Sequence, residues 1–243
     1  MQLIVLAAGK SKRIFQAIGK NKCLIKIKNK TLIEKIISDS SFYFNKINII
    51  TGYKSYLIEK HLIKYSNLKI IKNKDYHKKE MLHSIITGLK NINDDVVISY
   101  SDILVSKKIW KYFNSLPADE IMLPIKKNWK NIWKIRSKLF LDDAESLKID
   151  KNKYLLEIGN KIKKKTRVDG QFMGLIYIPK KYIKKIITTY EKNRFGKMQT
   201  TQFLNLLLKK KIPVKCKLTN LFWYEIDDII DLNNLKNTGF IID

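Results

Sequence analysis

Apolar runs alternate with amphipathic stretches over the first hundred residues, and this alternation reads as repeated βαβ units. Leu3–Leu6 is short, branched and unbroken, as a strand buried on both faces requires. Lys46–Thr51, ending at Gly52, predicts a second strand, Leu68–Ile71 a third and Val96–Tyr100 a fourth. Thr31-Leu32-Ile33-Glu34 has the spacing of a capping box and opens a helix running through Ser38. Helical spacing recurs over Tyr53–Lys64 and Met81–Leu89.

The pattern changes after Pro117. Ile121–Ile125 is a strand, and the stretch from there to about Asn160 mixes tryptophan, charge and short strands. An insertion covering the site is expected at about residues 117–170. Phe172–Ile178 predicts another strand, Lys181–Lys192 and Thr200–Leu208 helices, and Val214–Leu218 and Leu221–Tyr224 the last strands. No internal repeat or linker stands out. The expectation is one α/β domain over residues 1–243, a doubly wound sheet with a substrate-side insertion, and 243 residues suffice for its core.

Composition narrows the class. A hydrophobic content of 45% argues against disorder. No apolar run is long enough to span a bilayer, and the N-terminus lacks the pattern of a cleavable signal. The two cysteines, Cys23 and Cys216, lack metal-ligand spacing and read as core thiols, with a cytoplasmic location as the default. The net charge of +27 would suit nucleic acid, and a basic nucleic-acid-binding protein is the alternative of a different class. The lysines are spread along the chain, however, as compositional bias would spread them. They would in any case steer anionic substrates inward.

Chemistry concentrates at three places. After the first strand, Ala7, Ala8 and Gly9 carry almost no side chain, so backbone can approach a ligand closely. Lys10, Lys12 and Arg13 follow, and Lys22 lies a little further on. Such a loop suits a triphosphate, with backbone N–H groups and fixed cations meeting phosphate oxygens. It is not a Walker A loop, because Ile4 stands where that motif has its leading glycine, and no GxGxxG fingerprint is present. The second place is Ser101-Asp102, just past a strand, where open parallel sheets bind ligands. The third is Trp223-Tyr224-Glu225-Ile226-Asp227-Asp228. Glu225 and Asp227 would share one face of a strand and join Asp102 around Mg²⁺, with Asp227 or Asp228 as the cap of a following helix the lesser alternative. His61, His77 and His83 form no ligand pattern and read as surface residues.

The segments LAAGKSKR, YSDIL, NWKNIW, DDAE, GQFMGL and WYEIDDIIDL run in order across almost the whole chain. Together they resemble the nucleotidyltransferase family, and within it the small cytidylyltransferases of the phosphocholine cytidylyltransferase type. The family usually has Pro-Lys where this chain has Asn21-Lys22. The resemblance implies a Rossmann-like mixed sheet of the nucleotide-diphospho-sugar transferase, or GT-A-like, type. It also implies Mg²⁺ on Asp102, Glu225 and Asp227, the triphosphate on Arg13 and Lys22, and the nucleotide against Leu6, Ala7, Ala8 and Gly9. The segment Lys79–Ser84 falls where the family contacts the base, with Ser84 the candidate. The implied reaction moves CMP from CTP to a phosphate or phosphonate acceptor and releases pyrophosphate, for decoration of cell-surface glycans or lipids. A sugar-1-phosphate nucleotidylyltransferase is the alternative among enzymes.

Trp129, Trp133 and Arg136, with Asp142, Asp143 and Glu145 downstream, are the candidates for the acceptor. Indole faces and carboxylates suit an ammonium group, whereas Arg136 would suit a second acidic group. Packing of both tryptophans against the core is the competing expectation.

Overall fold

The computed structural model describes residues 1–77, 81–114, 119–136, 143–193 and 198–237. The chain opens with β1 (Gln2–Ala7), α1 (Lys12–Ile18) and a single 3₁₀ turn at Lys22–Leu24. A short hairpin of β2 (Lys26–Ile27) and β3 (Lys30–Thr31) leads into α2 (Leu32–Ser40). The capping box is formed: Thr31 Oγ1 accepts from the Glu34 N–H, and Glu34 Oε2 accepts from the Thr31 N–H. Next come β4 (Lys46–Thr51), α3 (Ser55–Leu62), β5 (Leu68–Lys72), α4 (Met81–Leu89) and β6 (Val96–Tyr100).

The second half contributes β7 (Ile103–Val105), α5 (Lys107–Phe113), β8 (Ile121–Lys126), α6 (Trp129–Arg136) and the hairpin β9 (Glu145–Ile149) and β10 (Leu155–Lys161). It finishes with β11 (Gln171–Phe172), β12 (Leu175–Ile178), α7 (Lys180–Asn193), α8 (Thr200–Lys209), β13 (Val214–Thr219), β14 (Trp223–Glu225) and α9 (Ile229–Asn237). The expected strand Phe172–Ile178 is thus two strands. Gly174 at φ 74°, against the Tyr100 ring, breaks the ladder between them.

β1 is the centre of the main sheet, parallel to β4 on one side and β6 on the other. β5 extends the sheet beyond β4. Beyond β6, β12 runs antiparallel and makes the sheet mixed, and β8 and β13 pair in parallel at the far side. Leu3, Val5 and Ala7 enter the apolar cluster on one face, while Ile4 and Leu6 enter the cluster on the other. That double burial explains an unbroken apolar run, each large side chain contributing roughly 1.5–3 kcal/mol. No helix among the described residues is long and apolar enough to cross a membrane.

The parallel strands end together. Ala7 lies opposite Thr51 and Leu6 opposite Tyr100, so Ala8-Gly9, Gly52 and Ser101-Asp102 emerge from one edge of the sheet. The α6 helix and the β9–β10 hairpin follow β8 and sit outside the sheet. Gln171 holds the hairpin to the sheet, its amide bonding the Glu145 carbonyl at 2.6 Å and the Glu145 N–H at 3.3 Å.

Candidate active site

Two cavities open at the carboxyl edge of the sheet and share Lys22, Met81, Tyr100 and Asp102. The first, about 290 Å³, is walled by Leu6, Ala7, Ala8, Gly9, Asn21 and Ser84, among others. Gly9 has open space where a Cβ would stand, so the loop presents bare backbone to the cavity. Gly52 is tighter: a Cβ there would lie 2.8 Å from the Ala8 carbonyl oxygen. Ser11, at the start of α1, takes the left-handed conformation with φ 51°, which costs a non-glycine residue about 1 kcal/mol. Its hydroxyl accepts from the Lys22 N–H at 3.1 Å and ties the two ends of the cationic loop together.

The second cavity, about 380 Å³, is lined by Trp133, Asp143, Glu145, Thr201, Glu225 and Asp227, among others. Burial, then repulsion from Asp143, pushes the Glu145 carboxyl above the usual carboxylate range, offset in part by a Thr201 hydrogen bond. Trp133 packs edge-on to Trp129 at 5.4 Å and lies 6.0 Å from Trp223. Of the two expected acceptor tryptophans, Trp133 therefore reaches the cavity. Trp129 does not line it and packs behind Trp133 in the core, because positions four apart on α6 stack along one helical face.

The cavities meet at a charge cluster. Lys22 Nζ lies 2.8 Å from Asp102 Oδ2 and 3.1 Å from Asp227 Oδ1. Arg13, exposed at the rim, reaches the same Asp227 oxygen at 3.2 Å. Burial works against the Lys22 charge, but Asp102 and Asp227 overcome it and hold the ammonium well above its usual range. Burial likewise opposes the Asp227 charge, yet Lys22, Arg13 and Arg136 bring that carboxyl down to about 2. Glu225 moves the opposite way, pushed well up by burial and then by Asp227 and Asp102.

Backbone pairing explains how residues so far apart in sequence converge. β14 lies antiparallel to β7, with Glu225 opposite Ile103, and the Ile226 N–H donates to the Asp102 carbonyl at 3.0 Å. Oxygen atoms of Asp102, Glu225 and Asp227 all fall within 4.8 Å of one another, a group of carboxylates that could hold a metal ion. Asp102 Oδ1 is buried without a hydrogen-bond partner among the described residues, an arrangement that costs about 1–3 kcal/mol unless a ligand meets it. This donor set is hard oxygen throughout and fits Mg²⁺. Metal and helix-cap expectations divide between neighbours: Asp227 joins the carboxylate group, while Asp228 Oδ1 accepts from the Asp231 N–H at the start of α9.

Arg136, expected at the acceptor, does line the second cavity, but not as an uncommitted cation. It is buried, and its guanidinium already meets Asp231, Asp227 and Asp143. His61 and His83 are half-buried rather than on the surface, bonded to Thr31 and Tyr190 respectively. Asp142 and the Lys79–Glu80 part of the expected base-contact segment lie outside the described residues. Sequence reading missed Asp231, Asn73 and the bond made by Ser11. The available signal for Asp231 was its spacing, one helical turn beyond Asp227.

A family model described as a MobA-like NTP transferase domain matches residues 3–160. A CTP:phosphoglutamine cytidylyltransferase of Campylobacter jejuni is 30% identical over 96% of this chain and 98% of its own length. Among solved structures, the inositol-1-phosphate CTP transferase from T. maritima superposes with TM-score 0.77 at 21% identity, covering 98% of this chain and 93% of that one. The CTP:phosphocholine cytidylyltransferase from Streptococcus pneumoniae gives 0.73 at 19% identity and 98% coverage of both chains. At such identities the structures establish the α/β nucleotidyltransferase fold. The chain is therefore a nucleotidyltransferase and belongs to the MobA-like NTP transferase family.

Proposed function

We propose that this nucleotidyltransferase moves CMP from CTP to a small phosphorylated or phosphonate acceptor bearing an amino or ammonium group, and releases pyrophosphate. The observation that carries this reading is the division of one cleft. A small-residue, cationic half and an acidic, aromatic half meet at Lys22 and Asp102. The Campylobacter relative, named for CTP and phosphoglutamine, supports CTP as donor and an amino-acid-like phosphate as acceptor.

An acceptor oxygen attacks the α-phosphorus. The new P–O bond forms as the bond to the bridging oxygen of the β-phosphate breaks, and that electron pair leaves with pyrophosphate. The nucleophile is already an anion, so positioning and charge neutralisation do the work in place of a strong base. The Leu6–Gly9 backbone lies along the nucleotide, with Ser84 beside the base. Arg13, exposed at the rim, neutralises departing pyrophosphate, and Lys22 meets the transferring phosphate. Asp102, Glu225 and Asp227 would hold Mg²⁺, which when bound supplies positive charge to the phosphates. On the acceptor side an ammonium group would sit between the Trp133 face and Glu145, whose charged form an incoming cation would favour. The product would be an activated head group for surface glycans or lipids, made where CTP is supplied, in the cytoplasm.

A pyrophosphate-release screen tests this. Each NTP is offered with phosphocholine, phosphoethanolamine, aminoethylphosphonate, phosphorylated amino acids including phosphoglutamine, and sugar phosphates. The expected best pair is CTP with an amino-bearing acceptor. A sugar phosphate as the best acceptor would replace this reading with a sugar-1-phosphate nucleotidylyltransferase.

A further inference from the structure

Asp231 and Arg136 are among the most deeply buried charges in the protein, at 0% and 1% exposure. The Asp231 carboxylate accepts from Arg136 Nε at 2.9 Å and Nη2 at 3.1 Å, a two-pronged pair with guanidinium geometry. Asp231 Oδ2 also accepts from the backbone N–H of Asp227 at 2.8 Å. Arg136 Nη2 meanwhile donates to Asp227 Oδ2 at 2.9 Å. One buried carboxylate thus fixes the main chain of Asp227 and, through Arg136, its side chain. Asp227 Oδ1 is left toward Lys22 and the carboxylate group.

We infer that Asp231 and Arg136 are positioning residues that hold Asp227 for the metal, with Asp231 cancelling the guanidinium charge so that Asp227 keeps its own. This inference rests on the proposed role of Asp227 as a metal ligand. The charge argument is what separates it from simple packing. Arg136 alone beside Asp227 would consume the carboxylate in an ion pair and repel a cation. With Asp231 paired two-pronged to the same guanidinium, and Asp143 3.3 Å from its Nη1, the carboxylates outnumber the guanidinium and the cluster stays net negative. Two further contacts fix the clamp. The Tyr224 hydroxyl donates to the Asp231 carbonyl at 2.9 Å, and the guanidinium carbon lies 5.1 Å over the Trp133 ring that walls the acceptor cavity.

The test is Mn²⁺ binding followed by electron paramagnetic resonance, with CTP present and no acceptor, in the parent, Asp231→Asn and Arg136→Lys. Outer groups that orient a metal ligand typically change metal affinity 10–100-fold, so the Mn²⁺ Kd should rise by about that factor. The Mn²⁺ concentration for half-maximal turnover should rise in step. A purely structural role would lower the folded fraction and leave Kd unchanged in the molecules that fold. Asp231→Asn removes the two-pronged partner of a buried guanidinium, and Arg136→Lys loses the planar fork of donors, so either single variant can fail to fold. The double variant Arg136→Met with Asp231→Leu removes both charges together and is read on the same scale. A parent-like Mn²⁺ Kd in any folded variant overturns the inference. Because the measurement needs no acceptor, a parent that binds Mn²⁺ but transfers no CMP would sink the proposed function and leave the clamp standing.

Discussion

The ammonium of Lys22 lies 2.8 Å from the Asp102 carboxylate, joining the loop after the first strand to the end of β6 across 80 residues of sequence. A second carboxylate, Asp227, meets the same nitrogen at 3.1 Å. Lys22 therefore supplies the charge that lets two acids face each other, and it stands where the two cavities join.

Replacing Lys22 with Met should separate two effects. Losing a charge-stabilising contact in a water-poor site costs about 3–4 kcal/mol, so kcat should fall by about 10²–10³-fold. The unneutralised carboxylates should also destabilise the fold, and Mg²⁺ should restore it more than it does the parent. Thermal denaturation with and without Mg²⁺, alongside turnover, reads both. Parent-like turnover would remove Lys22 from the reaction.

Ser84 and Asn73 bear on the choice of base. Asn73 Nδ2 donates to Ser84 Oγ at 2.9 Å, and Ser84 lines the first cavity, the one proposed for the nucleotide. With an acceptor site of the hydroxyl already used, its O–H is the group left to offer a ligand. Cytosine presents two acceptors, O2 and N3, on the edge where uracil carries an N3–H. Ser84→Ala and Asn73→Ala should each lower kcat/KM for CTP about tenfold, roughly 1.4 kcal/mol, and narrow the preference over UTP. An unchanged CTP-to-UTP ratio in both variants would show that base choice rests elsewhere.

How much of this could be read in the sequence differs residue by residue. Leu3–Leu6 announced a strand buried on both faces, and its small-residue continuation marked the edge where a cavity opens, because both signals are local. Strand order was not legible: nothing in Leu3–Leu6 says that β4 and β6 flank it. Phe172–Ile178 looked continuous because Met173 and Leu175 are apolar and fully buried, while the break is a backbone event at Gly174. Arg136 beside Trp133 looked like a free cation because its partner Asp231 lies 95 residues further on. Asp231 itself drew no expectation from the sequence. Only tertiary packing buries it.

Acid should weaken the fold through Glu34. Burial opposes its charge, but the Lys64 ammonium, the Thr31 N–H and hydroxyl, and His61 outweigh burial and bring the carboxyl from 4.5 down to about 2. A depressed folded pKa gives stability that is present above about pH 4.5 and lost as the pH falls toward 2. Lys64 is largely exposed, so the contribution should be about 1–2 kcal/mol rather than the full value of the shift. Urea denaturation of the parent and Glu34→Gln should show that gap at pH 7 and its closure near pH 2. A gap constant with pH would mean that Glu34 acts by packing alone.

The acceptor prediction turns on Glu145 and Trp133, which line the same cavity. Glu145 is held in place by the Gln171 latch at the mouth of the β9–β10 hairpin. Its carboxyl is raised by burial and by Asp143, and a neighbouring ammonium would favour its charged form and gain a partner. An ammonium over the Trp133 face gains roughly 0.5–2 kcal/mol more. A neutral sugar gains neither and leaves the carboxylates unpaired. Glu145→Gln should therefore raise KM for amino-bearing acceptors about tenfold or more while leaving KM for CTP near the parent value. Trp133→Ala should narrow the preference for amino-bearing acceptors over sugar phosphates, with some loss of stability because Trp133 also packs on Trp129 and Trp223. Trp133→Phe keeps an aromatic face and should recover most of the preference. If Glu145→Gln changes KM for CTP and acceptor alike, or if Trp133→Ala leaves acceptor preference untouched in a folded enzyme, the ammonium site lies elsewhere in the cleft.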